Sequence, residues 1–271
     1  QLKPFEFLDF GKIAIPLIII CIVSVLIVIK LLIKKLRIPT RMAYLISIGS
    51  TVCGTTAIMA TAPVIKASKT EISYAIANIT LFGILSMLLY PYFANLYFDG
   101  ESLLVGLFLG TSIHETSQVA AAGLIYEQQF NSPETLNIAT VTKLIRNTFL
   151  IIMIPLFAFL YNRGQSIKKD YSIIDIFPFF VLGFVGMIIF RNIGDQTFIF
   201  QNKDEWIEII DIIKMLSKIS LTMAMAAIGL STNLTDIKSM GLKPFVVGFI
   251  GMATVGIVCV LTIEIYLNLI I

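Results

Sequence analysis

The sequence predicts an all-α, polytopic membrane protein with two discontinuous helices that cross. Of its 271 residues, 57% are hydrophobic and only 14% are charged, whereas a soluble domain carries about 25% charged residues. Apolar runs recur at lengths close to the roughly 20 residues that a membrane-spanning helix needs. The run 42–65 has no charge but is rich in Gly, Ser and Thr. These residues disfavour a continuous helix, and in lipid an interrupted helix is tolerated only where it lines a cavity or lies inside protein.

Eight apolar segments, named A to H in chain order, make up most of the sequence. They are A 13–33, B 42–65, C 72–98, D 102–126, E 138–161, F 174–190, G 212–234 and H 244–271. Segment A is too long for a signal-peptide core. Pro91 predicts a kink or an end in C. The chain starts at Gln1, and we expect a single transmembrane domain over 1–271 that lacks the N-terminal helices of the full protein.

The basic residues predict the orientation of these segments. If the turn 34–41 is cytoplasmic, the cytoplasmic loops hold nine Lys and Arg residues and the outer loops hold four, which agrees with the positive-inside rule. The loop 191–211 is the longest and most polar. Trp206, followed by isoleucines, predicts a short helix at the membrane interface there.

Segment B predicts a substrate site. Six of its eight central positions are small or hydroxyl residues, namely Gly49, Ser50, Thr51, Gly54, Thr55 and Thr56, with Cys53 among them. Discontinuous helices near the membrane midplane form the binding sites of many secondary transporters. The N-terminus of a half-helix presents unpaired N–H groups and partial positive charge to an anion. Close helix packing by small residues is the alternative explanation.

Segments G and D resemble B in different ways. G lies five segments after B, so alternating topology gives the two segments opposite orientations, as in an inverted repeat. Its polar end, at Gly229, Ser231, Thr232 and Asn233, is predicted to face the break of B, although a capped helix end would also explain it. The D sequence GTSIHETSQVAA is similar to the B sequence GSTVCGTTAIMA, which indicates that D is also interrupted.

Charged residues inside D and E are candidates for coupling. His114 is the only histidine, and an ionisable residue inside a membrane segment is a functional candidate by default. Glu115 and Gln118 lie beside it; a structural tie between D and E is the alternative. Lys143 and Arg146 share one face of E. They could attract an anion, pair with Glu115 or extend to the interface.

Several classes of function have little support in the sequence. The three cysteines, at positions 21, 53 and 259, lie in apolar stretches without metal-binding spacing. No phosphate-binding loop, metalloprotease motif or serine-hydrolase motif is present, so we expect no enzyme, no metal and no cofactor. Cys53 with His114 is the one pair that an enzyme could use. The net charge of +3 gives no case for nucleic-acid binding.

Four motifs together resemble the YeiH-like family of proposed sulfate exporters. They are GSTVCGTTAIMATAPVI, GTSIHETSQVAAAG, TVTKLIRNTFLIIMIP and TMAMAAIGLSTNL followed by GLKPF. Val52 and Thr56 are mild departures from the family pattern. The resemblance implies a multi-pass protein of the bacterial inner membrane, related to cation/proton antiporters and bile-acid symporters. It also implies two inverted repeats, a core beside a scaffold domain, and elevator transport by a homodimer.

These observations predict a secondary active transporter that exports a small anion, sulfate or a sulfonate. The expected partners are the lipid bilayer and that anion, and the coupling ion is H⁺ or Na⁺. A transporter of another organic acid is the alternative, and an anion channel is a further one.

Overall fold

The computed structural model describes residues 4–163, 203–231 and 241–270, with short stretches between 183 and 195. Within these ranges all regular structure is helical. The ten long helices are α1 Pro4–Leu36, α2 Thr40–Thr51, α3 Gly54–Thr61, α4 Lys69–Tyr97, α5 Ser102–Ser112, α6 Thr116–Phe130, α7 Pro133–Thr148, α8 Leu150–Arg163, α9 Lys203–Ser231 and α10 Lys243–Ile270.

Four stretches of the described chain are long and apolar enough to cross a membrane. They are Gly11–Leu36, Lys69–Tyr97, Pro133–Tyr161 and Lys243–Tyr266. Their outward faces carry large apolar side chains, such as Leu31 at 63% exposure and Leu96 at 82%. A polytopic protein presents such faces to lipid, so the predicted all-α membrane protein is confirmed.

Segments B and D are each broken into two helices. In B, α2 ends at Thr51 and α3 begins at Gly54, and the two residues between them have non-helical dihedral angles. In D, α5 ends at Ser112 and α6 begins at Thr116, and Ile113 and Glu115 are extended. The break predicted in B and the similarity-based break in D are both observed.

Three elements differ from the sequence prediction. Helix α4 does not end at Pro91, one of the two predicted outcomes, but continues to Tyr97, because neighbouring groups can bond the backbone carbonyl that a proline leaves without a donor. Segment E is divided into α7 and α8 at Phe149, whose N–H bonds the carbonyls of Arg146 and Asn147. Trp206 lies in the first turns of the long helix α9 and not in a separate short helix.

Segment G does not show its predicted interruption in the part of the chain that is described. Helix α9 is continuous from Lys203 to Ser231 and passes through Gly229. Thr232 and Asn233 lie outside the described residues, as does most of segment F. Within the described residues, the two breaks that lie close together are those of B and D.

Two glycines allow α5 to approach α7 closely. A Cβ at Gly106 would lie 2.5 Å from Cγ2 of Ile138, and a Cβ at Gly110 would lie 2.6 Å from Cβ of Thr142. A larger residue at either position would push the helices apart. This close contact brings the last turns of α7 to the break that follows α5.

Candidate anion site at two helix breaks

Arg146 of α7 binds the C-terminal ends of both α2 and α5. Its Nη2 and Nε donate to the carbonyl oxygens of Ser50 and Thr51 at 2.9 and 3.0 Å. Its Nη1 donates to the carbonyls of Thr111 and, at 3.3 Å, Ile113. The side chain is 2% exposed. One guanidinium therefore satisfies carbonyl groups that the two helix ends leave unpaired.

Lys143 lies one turn earlier on α7 and binds the same two breaks. Its Nζ lies 3.0 Å from the carbonyl oxygen of Val52, 2.8 Å from that of Ile113 and 2.5 Å from that of His114. A carbonyl can only accept, so three carbonyl partners require three N–H donors. Only the protonated ammonium has three. The geometry therefore describes a positively charged Lys143.

The two cations neutralise the negative ends of two half-helices. A helix C-terminus carries roughly half an elementary negative charge, and α2 and α5 both end here. Of the alternatives for Lys143 and Arg146, extension to the interface is not observed, because both side chains are buried. Neither forms an ion pair with Glu115 within 4.0 Å. Their role in this structure is to hold the two breaks together.

The N-termini of α3 and α6 lie side by side beyond the breaks. Cys53 Sγ, at the start of α3, is 3.8 Å from Thr116 Oγ1, at the start of α6. The first bonds back to the preceding residues are Ala57 N–H to the Cys53 carbonyl and Val119 N–H to the Glu115 carbonyl. The N–H groups of the three residues before Ala57, and of the three before Val119, have no acceptor within their own helix, as at any helix start.

Hydroxyl groups surround these two N-termini. They belong to Thr55, Thr56, Thr116 and Ser117. Thr56 and Ser117 are exposed and the other two are partly exposed. Asn147 Nδ2 donates to Thr116 Oγ1 at 3.1 Å. Two positive helix ends, exposed hydroxyls and unpaired N–H groups form an arrangement that can bind an anion.

Glu115 lies between the two N-termini. A Cβ at Gly54 would be 2.7 Å from its Cγ and 3.2 Å from its Oε1. The side chain is 4% exposed, and Thr80 Oγ1 donates to Oε1 at 3.3 Å. Within the described residues no cation forms an ion pair with this carboxyl group. Glu115 therefore places a carboxyl group where a bound anion would sit.

The remaining predicted coupling residues are buried with incomplete hydrogen bonding. His114 is wholly buried, and neither ring nitrogen has a partner among the described residues. Gln118 Nε2 donates to the carbonyl oxygen of Thr80 at 3.2 Å, while its Oε1 has no partner there. A buried polar atom without a partner destabilises the protein unless water or an ion binds it.

The first part of B supplies carbonyl groups to the cations and not hydroxyls to the predicted site. Thr51 Oγ1 donates to the carbonyl of Ile48 at 3.0 Å, and Ser50 Oγ is fully buried. Gly49 packs on Ile58, since a Cβ there would lie 2.9 Å from its Cδ1. Of the residues predicted in G, Gly229 and Ser231 belong to α9.

Four residues of the site were not predicted, namely Thr80, Thr116, Ser117 and Asn147. The similarity of D to B contained a signal for two of them, because Thr116 aligns with Thr55 and Ser117 aligns with Thr56. Thr80 and Asn147 belong to other helices, and only their position in the fold brings them here.

Proteins of known sequence resemble this chain over most of its length. A family model described as "Conserved hypothetical protein 698" matches residues 1–248. A UPF0324 membrane protein of Fusobacterium nucleatum is 36% identical over 250 residues, which cover 89% of this chain and 71% of that protein.

Two further relatives carry the same description. A UPF0324 membrane protein of Streptococcus agalactiae serotype V is 35% identical, over 91% of this chain and 71% of its own. One of Haemophilus influenzae is 33% identical, over 80% of this chain and 60% of its own. No solved structure matches this chain.

Proposed function

The chain belongs to the Conserved hypothetical protein 698 family, and we propose that it is a secondary active transporter that exports a small anion. This is the family that the four sequence motifs resemble, and its members are multi-pass bacterial membrane proteins. The observation that carries the proposal is the pair of adjacent helix N-termini, α3 and α6, with hydroxyl groups around them.

The charged side chains buried at the breaks in B and D support an anion as the substrate. The acidic and basic side chains buried there are Glu115, His114, Lys143 and Arg146. With His114 neutral, Lys143 and Arg146 contribute +2 and an ionised Glu115 contributes −1, which leaves +1. If Glu115 binds a proton the sum becomes +2; part of this charge offsets the negative ends of α2 and α5, and the more positive site favours an anion such as sulfate. A cationic substrate would meet repulsion in either state.

Glu115 is the residue that we propose for the coupling proton. It is slightly exposed, lies at the anion site and has no cation partner in the described chain. An incoming anion would compete with its carboxylate for the N-terminus of α3, and protonation would remove that competition. His114 is a weaker candidate because the ammonium group of Lys143 lies 2.5 Å from its carbonyl oxygen, and a second positive charge beside it would be repelled.

The proposal includes an elevator-type movement, an inverted repeat and a homodimer. The support for the movement is that α7 joins both breaks into one unit through Lys143 and Arg146. We also propose that the chain is not an enzyme: the contact of Cys53 Sγ is with Thr116, not with His114. Unchanged flux in Cys53→Ala would agree with this.

The test is anion flux in proteoliposomes that contain the purified chain. We expect uptake or release of labelled sulfate or a small sulfonate, accelerated by an imposed proton gradient. Thr55→Val with Thr56→Val should reduce this flux at least tenfold, whereas Thr148→Val, an exposed threonine that bonds only the Ile145 carbonyl, should not.

Two outcomes would replace the proposal. If neither sulfate nor any sulfonate moves but another organic acid does, the substrate class is wrong and the transporter remains. If single-channel currents are recorded, the chain is an anion channel, because a carrier does not give unitary conductance.

A further inference from the structure

The carbonyl groups around Lys143 have the composition of a cation site. The three oxygens belong to Val52, Ile113 and His114 and come from two different helix breaks. In other transporters, unwound carbonyls and half-helix C-terminal ends coordinate the coupling Na⁺. Here each of the three oxygens already accepts a hydrogen bond from the ammonium group.

We propose that the ammonium group of Lys143 takes the place of a coupling sodium ion, so that the breaks in B and D are held together without any free cation. This inference rests on the proposed function where it concerns transport, but not where it concerns stability. The ammonium is a monovalent cation of fixed position, and it remains bound throughout a transport cycle because it is part of α7.

The six backbone carbonyls that Lys143 and Arg146 bind already accept hydrogen bonds and are not available to a free cation. Arg146, one turn away on α7, holds the remaining carbonyls of Ser50, Thr51 and Thr111. Together the two side chains engage six backbone carbonyls from the two breaks. A free Na⁺ would have to displace one of them and would also be repelled by both positive charges.

Removal of the side chain would expose the cation site. In Lys143→Ala the three buried carbonyls lose their donors, and a space the size of the missing chain opens. A small cation from solution can then enter, and binding only to the folded state raises the melting temperature. In Lys143→Met the chain fills the same space without a charge, so no cation can enter.

The experiment measures melting temperatures of the full chain in detergent, with choline chloride as the baseline salt. Sodium, ammonium or methylammonium chloride replaces choline at constant ionic strength. We expect wild type to be insensitive to this exchange. We expect Lys143→Ala to melt at a lower temperature and to recover by about 3–6 °C at a cation concentration tenfold above Kd. Lys143→Met should not recover.

Several results would overturn the inference. One is equal recovery, or no recovery, in the Ala and Met variants. Another is a melting temperature of wild type that rises with sodium but not with choline. If Lys143→Ala does not fold, anion flux by wild type decides: flux that continues at full rate without sodium supports the inference, and flux that requires sodium rejects it. Since the melting experiment needs no substrate, it is informative even if no tested anion is transported.

Discussion

The side chain of Glu115 packs directly on the Cα of Gly54. A Cβ at Gly54 would lie 2.7 Å from Cγ of Glu115, and Gly54 has a φ of 28°, which other residues rarely adopt. This contact places a carboxyl group at the N-terminus of α3, and it is possible only because the first residue of α3 has no side chain.

Gly54→Ala should therefore damage both stability and transport. The added methyl group meets Glu115 and forces an unfavourable backbone conformation, which together cost about 1–3 kcal/mol. We expect a lower melting temperature and a flux reduced at least tenfold. Gly11→Ala is the matched control, because a Cβ there would lie 3.8 Å from the nearest atom, in Ile15. Equal effects of the two substitutions would contradict the packing argument.

Glu115→Gln should separate exchange from proton-driven transport. Glutamine keeps the size and the hydrogen bond to Thr80 but cannot carry the proton. We expect anion exchange at equal pH to continue and accumulation driven by a pH gradient to disappear. Glu264→Gln, in an exposed residue of α10 that accepts from Tyr97, is the control and should leave both activities intact. Proton-driven accumulation in Glu115→Gln would show that another group carries the proton.

Arg146→Lys should destabilise the protein although the positive charge is kept. A lysine lacks the planar guanidinium that spans both helix ends, and each buried carbonyl that its ammonium group fails to reach would cost about 1–3 kcal/mol. The melting temperature should fall by several degrees. Arg41→Lys is the control, since Arg41 is exposed and its Nε bonds only the Tyr161 hydroxyl, at 3.1 Å. A melting temperature as high as that of wild type would show that the contact between the two breaks does not depend on the planar guanidinium group.

Thiols introduced at the two N-termini should be protected by the substrate. The natural cysteines are all buried, so Thr56→Cys and Ser117→Cys would supply the accessible thiols. We expect an anionic methanethiosulfonate reagent to label both rapidly and saturating sulfate to slow labelling at least fivefold. Lys69→Cys, at the exposed start of α4, should label at the same rate with and without sulfate. Protection at this control position would mean that sulfate acts on the reagent or the whole protein.

The sequence was sufficient to predict the break in B and to indicate the break in D. Gly, Ser and Thr at the centre of an apolar run favour a break, and GTSIHETSQVAA resembles that stretch. The same composition in G predicted a third interruption, which the described part of α9 does not contain. Small residues also occur in continuous helices that pack closely, so composition alone cannot separate the two cases.

The orientation of Lys143 and Arg146 could not be predicted from the sequence. Their spacing of three residues shows that they share a face of one helix. What that face meets depends on the approach of α5 to α7, which is determined by Gly106 and Gly110. Spacing along one helix therefore did not distinguish an anion site from the carbonyl groups that the two cations actually bind.

Because Lys143 and Arg146 occupy a single turn of α7, the two half-helix pairs have one common support. Seven hydrogen bonds from these side chains join the break in B to the break in D. Any motion that separated the two breaks would have to break several of these buried hydrogen bonds. If the proposed elevator movement takes place, α2, α3, α5, α6 and α7 would therefore move together with an anion bound between the N-termini of α3 and α6.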